Sequence, residues 1–120
     1  MSEPAASDSA TARRVAENDS RFREANERIS KAARRADLDQ IPFVCECANL
    51  RCREIVRLRR SEYEEVRASG RRFLEVPGHE AASMGWGTVV DRRDGYVVVE
   101  KIGEAAEIVE ALDPRGDERE

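Results

Sequence analysis

Three cysteines fall within eight residues, Cys45-Glu46-Cys47-Ala48-Asn49-Leu50-Arg51-Cys52, and no other feature restricts the fold of this chain as tightly. An odd number of thiols leaves one over in any disulfide scheme, whereas tight clustering suits a metal ion. Structural zinc takes four ligands in a tetrahedron, drawn from thiolates and imidazoles. The fourth ligand must come from elsewhere, and the only histidine in the sequence is His79. It follows Pro77-Gly78, a turn that ends a strand and can direct an imidazole back toward the cysteine loop. The predicted site is therefore Cys45, Cys47, Cys52 and His79 around a structural Zn²⁺. Three thiolates against a divalent ion leave one negative charge, and Arg51 and Arg53, flanking Cys52, are placed to offset it from outside the ligand set. The spacing is C-x-C-x₄-C rather than the familiar C-x₂-C pair. Two other readings of the thiols stay open: small core residues, or a redox switch that releases its ion on oxidation.

A staple is expected on grounds of size. Val, Ile, Leu and Phe number 24, of which 20 lie between Ile41 and Leu112 and four before it. An apolar core of that extent rarely supplies more than about 3–5 kcal/mol. No stretch approaches the roughly 18 apolar residues that span a bilayer. The first twelve residues have no basic group before Arg13 and no apolar run, so a signal peptide is not expected and the chain reads as cytoplasmic. The net charge of −4 sits in the last third, where residues 81–120 carry five basic and ten acidic groups. Nineteen of the 21 basic residues are Arg; with alanine also abundant, at 16, this fits the codon bias of a GC-rich genome better than it fits phosphate recognition.

The order of elements follows from pattern and punctuation. Residues 1–11 are polar and small and read as a disordered tail. From residue 12 to Ala36, free of Gly and Pro, a helix is expected, with a hinge to Gln40; together these form an N-terminal arm. Val15, Phe22 and Ile29 recur every seven residues in a narrow, alanine-rich seam too thin for a stable two-stranded coil. Such a helix must lean on its own domain or on another protein. From Ile41 the pattern turns to strand: Phe43–Cys45 and Glu54–Leu58 flank the cysteine loop, and Arg72–Val76 ends at Pro77-Gly78. Between them Ser61 is the expected cap of a short helix, Glu64 closes a capping box and Gly70 ends it. Trp86–Asp91 and Tyr96–Lys101 flank an Asp94-Gly95 turn, and Glu104–Leu112 is an amphipathic helix with Ala105, Ile108, Val109 and Leu112 on one face. The fold class is α+β: a small antiparallel sheet with a zinc-binding cysteine loop, two short helices and a long N-terminal helical arm. Residues 41–112 form the stapled domain and 113–120 an acidic tail.

Several of these segments, taken in order, carry a resemblance. They are Phe22-Arg23-Glu24-Ala25-Asn26-Glu27-Arg28-Ile29, the Phe43-to-Cys52 stretch, Glu62-Tyr63-Glu64-Glu65-Val66-Arg67, Arg72-Phe73-Leu74 with Pro77-Gly78-His79, and Val98-Val99-Glu100-Lys101. In that order they resemble a family of short, mostly actinobacterial proteins marked by CxCx₄C and PGH. The resemblance implies that the cysteines and the histidine belong to one unit; it lends no activity. The chain departs from the family pattern at Met84-Gly85-Trp86-Gly87, where a more acidic, less glycine-rich stretch is expected.

The sequence carries no HExxH, nucleophile elbow, P-loop or dinucleotide fingerprint, and a fourth ligand at His79 leaves no open position for water. The expected function is a non-enzymatic zinc-binding interaction module, a regulatory accessory protein that meets a protein partner through Val15, Phe22, Asn26 and Ile29. The alternatives are a nucleic-acid-binding zinc protein using Arg51, Arg53, Arg57, Arg59 and Arg60, and a thiol-based redox or zinc sensor.

Overall fold

The structure is a computed structural model that describes residues 6–36 and 38–116. The elements run in the order α1 (Ala6–Ala36), β1 (Ile41–Val44), β2 (Ile55–Leu58), α2 (Arg60–Val66), β3 (Arg72–Glu75), a 3₁₀ turn (His79–Ser83), β4 (Gly87–Arg93), β5 (Tyr96–Lys101) and α3 (Gly103–Ala111). This is the expected α+β fold, with two antiparallel sheets where one was expected. β1 and β2 form a two-stranded ribbon in which Ile41 faces Leu58; β3, β5 and β4 form a second sheet with β5 in the middle. Among the described residues no helix is long and apolar enough to cross a membrane.

Neighbouring residues of a strand point to opposite faces, so the three-stranded sheet separates two apolar clusters. Leu74, Tyr96 and Val98 pack on one side with Ile41, Phe43, Val56, Leu58, Tyr63 and Val66. Phe73 packs on the other with Ala12, Ala16, Ala105 and Val109. The Phe43 and Tyr63 rings stack at 4.3 Å between centroids, joining the ribbon to α2.

Helix α1 touches both clusters and is not a separate arm. It begins at Ala6, so of the expected tail only 1–5 lies outside the described residues, as do hinge residue 37 and tail residues 117–120. The face α1 turns inward is polar as well as apolar: Asp19, Arg23 and Glu27, each four residues from the next, are all buried with Asn26. Each reaches a different element. Arg23 donates to Gly70 O and Val109 O, both at 2.8 Å, and lies 4.8 Å over the Phe73 ring. Glu27 accepts from Tyr63 Oη at 2.6 Å, from Arg67 Nε and from Arg115. Asp19 Oδ2 lies 2.7 Å from Lys101 Nζ, which also donates to Ser83 Oγ at 2.7 Å. A Cβ at Gly87 would come within 3.3 Å of that ammonium and 2.9 Å of Val99, so a glycine at this position leaves room for the buried lysine.

Several expectations are corrected. The seam residues Val15 and Asn26 are buried in the chain's own interior, and Ile29 packs against the ribbon cluster; Phe22 is half-buried. A period of seven on a straight helix drifts across its surface, so the face that packs follows the true turn of 3.6 residues. α2 starts at Arg60 rather than after Ser61, and the main-chain N–H of Arg59 donates to Glu62, not Glu64, at 2.9 Å. Gly70 is absent from the positive-φ glycines, and α2 ends at Val66 with a right-handed cap at Arg67. Leu112 is 47 % exposed instead of facing in with Val109. The start of the acidic tail is part of the fold: Asp113 is buried against Arg67, and Arg115 forks between Glu27 and Glu64.

Two predictions follow from the buried charges. Arg23→Ala would strip two buried carbonyls of their donor and open a cavity over Phe73, and it is expected to cost about 3 kcal/mol or more in denaturant unfolding. The second concerns pH. Burial pushes Asp19 up to about 7 and Glu75 to about 9, with Lys101 opposing both. Carboxyls that are weaker acids when folded stabilise most below about 4, near their ordinary values, and that contribution declines as pH rises toward about 7 and about 9. For Glu27 burial alone would raise the value, but hydrogen bonds from Arg115 and Tyr63 outweigh it and hold it low, so its contribution is lost in acid. Glu75→Gln is therefore expected to flatten the decline of the melting temperature as pH rises from about 4.5 to about 9, and to leave the loss in stronger acid that comes from Glu27 unchanged.

Candidate metal centre

The cysteine loop is positioned by main-chain hydrogen bonds before any ion is considered. The ribbon ladder continues one step past β1 through Cys45 N–H to Glu54 O at 3.1 Å, and the far end closes in a turn, Cys52 N–H to Asn49 O at 3.0 Å. Asn49 Oδ1 also accepts from Arg51 N–H, the local side-chain bond that favours asparagine in tight turns. Helix α1 pins the loop at two points two turns apart. Asn18 donates to Ala48 O at 2.8 Å. Asn26 brackets Val44, donating to its carbonyl and accepting from its N–H, each at 2.8 Å, as a neighbouring strand would.

Glu46, between the first two cysteines, fixes the loop to β3. Its N–H donates to Leu74 O at 2.8 Å, and its Oε1 accepts from Leu74 N–H at 3.0 Å. Its Oε2 accepts from Asn26 Nδ2 at 2.8 Å. The side chain is fully buried, and burial raises its carboxyl to about 7 against those hydrogen bonds. Two residues further along β3, Val76 N–H donates to Cys45 Sγ at 3.2 Å. The chain then turns through Gly78, at φ 95°, a left-handed conformation that glycine adopts without strain. The turn delivers His79, whose N–H returns to Val76 O at 2.9 Å.

The result is one cluster: a ligand atom from each of Cys45, Cys47, Cys52 and His79 lies within 4.8 Å of every other. His79 Nδ1 is 3.5 Å from both Cys45 Sγ and Cys52 Sγ. Cys45 and Cys47 are buried, while Cys52 and His79 are partly exposed, so the cluster has a closed inner side and a surface side. These four groups could hold a metal ion. The hydrogen bond between Cys45 and Cys47, with burial, pushes Cys45 up, and the same bond outweighs burial at Cys47 and holds it down. Burial also raises Cys52. A metal ion would have to displace the thiol protons.

Arg51 and Arg53 are both exposed, and among the described residues neither side chain is hydrogen-bonded to the cluster. The groups that do surround it, Glu46, Asn26, Asn18 and Val76 N–H, act by shaping the loop. Glu46 and Glu80, the carboxylates that could have served as a base, are both bound to main chain; Glu80 Oε1 accepts from Gly78 N–H at 2.7 Å. Sequence reading put Asn26 on a partner-binding face and did not foresee that Asn26 and Asn18 hold the main chain of the cysteine loop and its entry strand. The available signal was their placement, two asparagines eight apart on a helix where asparagine is a poor helix former. Compared with protein-family models, with curated proteins and with solved structures, the chain matches none.

Glu46→Ala removes none of the four ligands but deprives Leu74 N–H and Asn26 of their acceptor. It is expected to weaken metal binding about 10- to 100-fold in a chelator competition titration, with one-to-one stoichiometry retained.

Proposed function

We propose that the chain is a non-enzymatic binding module stapled by one structural Zn²⁺. The observation that carries the reading is the spacing of the four donors. Zinc bonds of about 2.3 Å to sulfur and 2.0–2.1 Å to nitrogen set tetrahedral S···N edges of about 3.6 Å. The two S···N distances to His79 are 3.5 Å. A three-thiolate, one-imidazole set prefers zinc over the hard cations, which seek oxygen ligands. With four protein ligands the shell has no open position for water, which supports a structural role. An ion that ties the ribbon loop to the chain just past β3 would staple the cluster that already holds Cys45, Cys47 and Leu74.

A protein partner on the Val15, Phe22, Asn26 and Ile29 seam is not carried forward, because Val15 and Asn26 are buried within the chain and Ile29 packs on its ribbon cluster. Binding must use outward surface, and the regulatory reading rests on the module having an exposed loop whose shape would depend on its ion.

Native mass spectrometry of the full chain, before and after a strong chelator, tests the reading. One zinc per chain is expected, with its removal broadening the charge-state distribution as the loop loosens. Cys45→Ser is expected to lose the ion and His79→Ala to bind it far more weakly. A compact chain that binds no zinc would overturn the proposal, and His79→Ala with unchanged affinity would remove the imidazole from the ligand set.

A further inference from the structure

The binding-module reading does not say what is bound, and one surface bears on that question; the inference rests on that reading. We propose that Arg51, Arg53, Arg57 and Arg59, running from the metal loop along β2, dock the phosphate backbone of an extended single strand of nucleic acid.

The four arginines are exposed residues between the turn of the metal loop and the start of α2, with exposed Glu54 among them; within β2 itself Ile55 and Arg57 are exposed while Val56 and Leu58 are buried. Arg57 and Arg59 stand two apart on extended chain, a repeat of about 6.6–6.8 Å that is comparable with one phosphate-to-phosphate step of a stretched single strand. Availability separates these arginines from those on α2, the larger sheet and the C-terminal segment that are engaged by carboxylates. Arg67, Arg71, Arg72, Arg93 and Arg115 are each held by a carboxylate. Among the described residues, none of the four is in an ion pair. Guanidiniums outside any direct ion pair keep their donors available, and their planar forks suit phosphate oxygens.

The surroundings fix the manner of binding. Leu50 is 43 % and Ile55 48 % exposed beside the arginines, giving apolar ground on which a sugar or base can rest. Among the described residues no aromatic side chain is exposed, so base stacking contributes nothing and sequence preference should be slight. At the far end Arg57 and Arg59 share a groove of about 520 Å³ with Glu62, Glu65 and Asp94, carboxylates that end the anionic footprint there. An acidic peptide is the competing occupant. Peptide recognition needs pockets for alternate side chains, and this groove offers mainly Gln40, Ser61 and like-charged carboxylates instead.

The experiment is fluorescence anisotropy with labelled oligo(dT) and oligo(U) on the metal-loaded full chain, titrated over salt, with zinc content measured on the same samples. Neutralising three or four phosphates on a single strand predicts a log–log salt slope of about −2 to −3, or roughly 15- to 60-fold weaker binding on a fourfold rise in salt. Arg57→Gln should reduce the slope by about 0.7 and the double variant Arg51→Gln/Arg53→Gln by about 1.4. Arg21→Gln, an exposed arginine on α1, should leave it unchanged. Zinc-loaded protein that binds neither oligonucleotide at low salt overturns the docking proposal and leaves the metal reading standing; zinc-free protein fails the metal reading instead. Equal slopes for Arg57→Gln and wild type overturn the assigned surface. Binding of poly-glutamate as tightly as either oligonucleotide would reassign the surface to an acidic protein partner.

Discussion

A carboxylate sealed from water is the joint on which this structure turns. Glu46 takes a hydrogen bond from β3 and another from α1, while its own main chain bonds back to β3. An unpartnered buried carboxylate is far too costly to keep, so the cysteine loop, β3 and the middle of α1 must arrive together or not at all. Asn26 makes the arrangement stricter by bonding both to Glu46 and to the main chain of Val44. A register slip of one residue in either strand would break all of these bonds at once, which is how a few polar groups specify what two small apolar clusters leave loose.

The same logic governs the rest of α1. Its inward stripe uses charges where a helix of this kind ordinarily uses leucine, and each charge is matched to groups supplied by distant parts of the chain. Arg23 satisfies the carbonyls of Gly70 and Val109; Glu27 gathers Tyr63, Arg67 and Arg115. Burying ions adds little net stability compared with burying apolar groups, but removing one partner leaves the other exposed to the full desolvation penalty. The helix is therefore held in one position more by specificity than by hydrophobic area.

Much of this was legible in the sequence. Strand and helix order came through because each element is bounded by its own punctuation: Pro77-Gly78 after β3, Asp94-Gly95 between β4 and β5, the apolar spacing of Ala105 and Val109 in α3. The four-residue cluster was legible because cysteines are few and a single histidine follows a turn. The packing of α1 was not, for a physical reason. Asp19, Arg23 and Glu27 at intervals of four look like the ladder of a solvated helix, and only the positions of Lys101, Gly70 and Arg67 in space show that each bonds elsewhere. The tail was misread likewise, since Asp113 and Arg115 sit among residues with no apolar signal.

The metal cluster also implies an order of events in time. Its three thiols lie within one short loop, whereas His79 is 27 residues beyond Cys52 and reaches it only through the end of β3. Closing the short loop costs little chain entropy, and closing the longer one must wait for a strand to pair. A nascent chain meeting zinc would accordingly capture it first through sulfur alone, as a loosely held and exchangeable ion. Docking of β3 would then seat the imidazole and slow its escape, so that the rate of metal release reports whether the domain has finished folding.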